Sequence, residues 1–110
     1  MTVPIWRILG QLLPAAATPG NLYTVGIGRQ ATLELLSMCN QGAATTARVS
    51  FRIAGAAADP SQYLYYDLAL QPNDTFDHRG PMRLFTFDQV WVESASGLVS
   101  FGAFGLEEFV

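Results

Sequence analysis

Thr46-Ala47-Arg48-Val49-Ser50-Phe51-Arg52-Ile53-Ala54 is the stretch that decides the fold. Val49, Phe51 and Ile53 alternate with Arg48, Ser50 and Arg52, a period of two that belongs to a half-buried β-strand and to no helix. The same reading extends outward in both directions. A loop of small residues, 55–61 with Pro60, leads to 62–70 (QYLYYDLAL), where Leu64, Tyr66, Leu68 and Leu70 are expected on one face and Tyr63, Tyr65 and Asp67 on the other. Upstream, 30–40 (QATLELLSMCN) has helical propensities in Leu, Glu and Met. Gly28 and Asn40-Gln41-Gly42 nevertheless bracket a strand-sized unit. Read as a strand, it places Ala31, Leu33, Leu35, Ser37 and Cys39 on one face.

Turn chemistry punctuates the rest. Segment 22–25 is a short strand before the Gly26-Ile27-Gly28 bend, and Pro72-Asn73-Asp74 turns into a short strand at 75–77 that ends near Gly80-Pro81. Segments 88–95 and 98–104 flank Ser96-Gly97 and read as a hairpin. Turn signals every ~8–12 residues predict an all-β, single-domain antiparallel β-sandwich, jelly-roll or Ig-like, of seven or eight short strands.

The chain of 110 residues is one domain's worth. Half of it is hydrophobic and only 14% is charged, which excludes intrinsic disorder. No run approaches the ~18 apolar residues of a membrane helix, and a net charge of −3 argues against a nucleic-acid surface. All six basic residues are arginines (Arg7, Arg29, Arg48, Arg52, Arg79, Arg83). Lysine, the usual guard of strand edges, is missing, as in an interface or in a chain of Arg- and Ala-favouring codon usage. Cys39 has no partner for a disulfide and is expected to be buried and inert.

Chemistry is sparse. A Cys39–His78 nucleophile pair would need spatial adjacency and an orienting group that a sequence does not display, and Asp74, Asp77 and Asp88 match no calcium-loop spacing, so no catalytic residue, metal ligand or cofactor is assigned. The aromatics Trp6, Tyr23, Tyr63, Tyr65, Tyr66 and Trp91 suit core and subunit contacts, with a sugar platform as the alternative.

The ends draw most attention. Ile5, Trp6, Ile8, Leu9, Leu12 and Leu13 crowd into nine residues, set off by Pro14 and Pro19-Gly20, and Phe109 and Val110 follow Glu107-Glu108. Residues 1–20 are therefore read as an apolar segment, either a core strand or an arm that docks on a neighbour's sheet edge, ahead of a sandwich at 21–110. Ala15-Ala16-Ala17 imitates a signal-peptidase site. Pro4, Arg7 and Gln11 break the pattern, so this segment is expected in the mature protein.

Five blocks, 21–25 (NLYTV), 33–42 (LELLSMCNQG), 47–55 (ARVSFRIAG), 63–76 (YLYYDLALQPNDTF) and 90–107 (VWVESASGLVSFGAFGLE), resemble the small structural proteins of tailed bacteriophages over roughly residues 8–107, with a departure at 78–87 (HRGPMRLFTF). The resemblance implies a non-enzymatic virion component made in the host cytoplasm and leaves its place in the particle open; the first reading taken is a capsid decoration or cement subunit. Its partners would be its own copies, with a trimer favoured, and the major capsid protein; neither nucleic acid nor membrane is expected. A tail or baseplate adaptor and a small carbohydrate-binding domain are the alternatives.

Overall fold

The computed structural model describes residues 5–110, so the first four residues of the 1–20 segment lie outside the described residues. Eight strands form: β1 (Ile5–Leu12), β2 (Gly20–Thr24), β3 (Arg29–Asn40), β4 (Thr45–Arg52), β5 (Tyr63–Leu70), β6 (Thr75–Leu84), β7 (Gln89–Ser94) and β8 (Val99–Phe109). They make two four-stranded sheets, β1-β8-β3-β6 and β2-β7-β4-β5, and every pairing is antiparallel. The pairs β1–β8, β2–β7, β3–β6 and β4–β5 together describe one long hairpin, its tip between β4 and β5, rolled until its two arms lie in two layers. Of the two sandwich types open from sequence, this order is the jelly roll. Among the described residues the only helical pieces are two short 3₁₀ turns, Ile53–Gly55 and Pro60–Gln62.

Inward residues of both sheets close the core, among them Val25, Leu33, Leu36, Met38, Val49, Val90, Val92 and Phe101. Bulges decide which residues these are. Opposite β8, β3 carries an extra residue at Glu34, and β6 has an extra one near Gly80 (φ 126°). A bulge exchanges the two faces of a strand. Ala31 and Leu33 therefore face the core as expected, but Leu36, Met38 and Asn40 follow them inward, and Leu35, Ser37 and Cys39 turn outward. Cys39 is consequently half-buried, not buried as expected. Strand β5 does the same at Asp67, whose φ is +54°: Tyr65, Leu68 and Leu70 face inward, while Leu64 and Tyr66 lie exposed.

Other expectations also shift. The Gly80-Pro81 step does not end β6, because β6 is an edge strand and a proline there breaks no ladder bond on the open side. Ile53 leaves β4 for a 3₁₀ turn and is exposed. Segments 88–95 and 98–104 are not a hairpin, since β7 and β8 lie in different sheets. Between them the Ser94 hydroxyl accepts from Gly97 N (3.0 Å), and Ala95 N and Leu98 O bond to Thr46 O and Gln41 N, so the chain crosses between layers. Local alternation marks strands without marking their partners.

Strand β1 is an edge strand of the first sheet, paired to β8. The sandwich therefore takes one of its strands from the 1–20 segment. Two glycines permit this closure: a Cβ at Gly10 would overlap the Leu22 carbonyl of the facing sheet, and one at Gly105 the Thr32 carbonyl beside the β3 bulge. Backbone cannot yield there as a side chain can. Gly10→Ala and Gly105→Ala are each expected to cost about 3 kcal/mol, read as a fall of about 10 °C or more in Tm. Gly26→Ala, whose Cβ meets only the Arg29 side chain at 3.6 Å, should stay close to the parent.

Candidate interaction surfaces

Glu107 anchors the end of the sandwich where β1 begins. The residue is 8% exposed, and its carboxylate accepts from Arg7 on β1 (3.0 Å), Arg29 on β3 (3.2 Å) and the Tyr23 hydroxyl on β2. Burial, with the bond to Glu107, raises the Tyr23 pKa above its ordinary value, so the phenol donates in its neutral form. Next to it Glu108 pairs with Arg83 (2.7 Å), and the Arg29 guanidinium lies over Phe109 (4.9 Å). From sequence Glu107 was only one of two terminal acids; nothing local announces partners 78 to 100 residues away.

The eight residues singled out at the chain ends divide here. Ile5, Trp6, Ile8, Leu13, Phe109 and Val110 are each more than half exposed. Leu9 and Leu12, grouped with them on sequence, point the other way and pack against the core. Ile5 and Phe109 meet across a small cleft with Arg7 and Arg29.

Register shows what surrounds the exposed ones, because directly opposed residues share a face. Trp6 lies opposite Leu106, which lies opposite Thr32; Ile8 lies opposite Phe104, which lies opposite Leu35. The outer face of the first sheet thus carries an apolar band running from the free β1 edge across three strands. Charge borders the band at Glu108 on β8, which pairs with Arg83, and at Asp77, Arg79 and Arg83 on β6. Leu35, Phe104 and Leu106 were missed, the first because the bulge reversed its face. Beside the band lies a groove of about 440 Å³ lined by Gln11, Leu13, Ser37, Cys39, Ser100, Gly102 and Phe104, among others.

The second sheet's outer face has another character. Arg48 bonds Asp67 (2.7 Å) and lies over the Tyr66 ring (4.0 Å), Tyr63 meets Tyr66 edge-on (5.0 Å), and Arg52 covers Trp91 (4.0 Å). The Trp91 indole N–H donates to Gln89 Oε1 (2.9 Å).

The weighed chemistries do not assemble. Cys39 faces out from β3, whereas His78 pairs with the inward Leu36 and meets the Tyr65 hydroxyl at 2.6 Å, so the two lie on opposite faces of one sheet. Asp74 accepts from Gln71 N (3.0 Å), Asp77 pairs with Arg79 (3.5 Å), and Asp88 accepts from Ala54 N and Phe85 N. Among the described residues no group of three or more His, Cys, Asp or Glu stands together as metal ligands.

Two measurements follow from these environments. Cys39 should react with a thiol reagent in the native protein, seen by intact mass, without waiting for global unfolding. Tyr23 keeps its proton in the folded state at pH values where an unfolded tyrosine, with a pKa of about 10, loses it. Its contribution to stability is complete below that value and declines as pH rises above it. Denaturant titrations should show a falling stability on the alkaline side, and Tyr23→Phe should flatten that slope.

No protein-family model matches this chain, and comparison with curated proteins and with solved structures finds no match.

Proposed function

We propose that the protein is a non-enzymatic structural subunit that works by assembly. The observation that carries this reading is the apolar band of Trp6, Ile8, Phe104, Leu106 and Leu35, continuous with the unpaired backbone of edge strand β1. Exposed tryptophan and isoleucine beside an open ladder are costly in water and are relieved when another chain covers them. The occupant is a second copy. Arg7 is the only charged residue of β1 and is held by Glu107, so no exposed carboxylate or lysine on this edge opposes its approach.

Three copies arranged head to tail close into a ring, each β1 edge meeting the next subunit, a form that suits local threefold positions on a capsid. Together with the resemblance to small structural proteins of tailed phages, this supports a capsid decoration or cement role, with the major capsid protein beneath the ring. Light scattering on the purified chain should give three times the monomer mass. Ile8→Asp, which places a carboxylate in the band, should give a folded monomer with an unchanged far-UV spectrum. A parent chain that stays monomeric at high concentration would overturn the assembly reading. Cosedimentation with purified heads, and not with tails, checks the capsid position.

A further inference from the structure

Between β5 and the 53–62 loop, the outer face of the second sheet holds a groove of about 570 Å³, lined by Arg48, Ala58, Asp59, Pro60, Tyr63 and Tyr66. We infer that it is a saccharide-binding site in which a pyranose ring stacks on Tyr66. The volume lies within the range of small-molecule sites. Tyr66 is 61% exposed; one face of its ring is covered by Arg48 and its neighbour Tyr63 stands edge-on, which leaves a fixed aromatic wall. A pyranose offers such a wall its C–H face and turns hydroxyls sideways, where they need a donor and an acceptor.

Both are present and already oriented. Arg48 is anchored through Nε by Asp67 (2.7 Å), leaving its terminal N–H groups free to donate. Asp59 holds one oxygen on the Ser61 amide and hydroxyl (2.9 and 2.7 Å) and keeps the other for a ligand. Its loop is locked by a reciprocal cap in which the Asp59 N–H donates to Gln62 Oε1 (2.9 Å), so little ordering remains to be done on binding.

Other occupants fit less well. Asp59 lines the groove and Asp67 pairs with its one cation, Arg48, which disfavours a phosphate backbone. A peptide adding to the β5 edge would meet two register shifts and the +54° φ of Asp67, which spoil the ladder it needs. Ala58 and Pro60 alone supply too little aliphatic surface for an oily ligand.

The test is a ¹⁵N-labelled chain titrated to millimolar maltohexaose, cellohexaose and chitohexaose in turn, with sorbitol as open-chain control and lipopolysaccharide micelles as a separate arm. Saturable shifts of the 58–66 amides with a hexaose, absent with sorbitol, identify a free glycan chain. The same shifts with lipopolysaccharide alone identify a surface glycoconjugate. In either case Tyr66→Ala, confirmed as folded by its own spectrum, should bind about tenfold more weakly, and Ile8→Asp on the other sheet should bind as the parent does. No shift at 58–66 with any sugar, or full affinity in Tyr66→Ala, overturns the inference.

Discussion

A carboxylate removed from water must be surrounded by donors, and at Glu107 these come from three strands in two sheets. Arg7, Tyr23 and Arg29 reach it only if β1, β2 and β3 hold their registers against β8 and against each other. Losing one donor leaves a buried charge short of partners, which is far more unfavourable than losing an apolar contact. The hydrophobic core can tolerate a small slip between layers; this cluster cannot. It converts a generic two-layer burial into one arrangement, and it fixes β1 at the edge, where Trp6 and Ile8 meet solvent.

The six arginines make a related point. Arg7 and Arg29 share Glu107, Arg83 takes Glu108, Arg79 takes Asp77, Arg48 takes Asp67 and Tyr66, and Arg52 lies on Trp91. A planar guanidinium can stack and bond at once, which an ammonium cannot. Among the described residues the Arg52 Nε is the one buried side-chain polar atom without a partner, traded for the stack on Trp91. A lysine-free surface here means cations committed to neighbours, so the two outer faces are set by their uncharged residues: Trp6, Ile8, Leu35, Phe104 and Leu106 on one sheet, Tyr63, Tyr66 and Trp91 on the other.

Strand positions were legible because alternation is a property of the chain itself. Val49 and Phe101 needed no partner to declare themselves inward. What alternation cannot carry is the insertion of one residue, and Glu34, Asp67 and Gly80 each introduced such a shift. Leu35, Cys39 and Tyr66 changed faces for that reason alone. Pairing was equally hidden: Ser96-Gly97 looks like a hairpin turn from either side, and only Thr46 and Gln41, far upstream, make it a crossing between sheets. Of the surfaces, the exposed edge was readable as a crowd of apolar residues. The Tyr63–Tyr66 groove was not, since its Arg48 and Asp59 come from other segments.

The rolled hairpin also has a history in time. Its tip, β4 with β5, joins residues close in sequence, whereas β1 with β8 closes nearly the full length of the chain, Ile5 against Glu107. Loop-closure entropy makes that last contact the slowest to form. During synthesis β1 emerges first and waits longest, with its ladder partner still unmade. For that interval β8 of a neighbouring molecule is as good a partner as its own. In the assembly proposed above, subunits that met early would exchange β1 and become linked by it, whereas those that met late would associate as finished domains, so concentration during folding would select between an interlocked and a dissociable form.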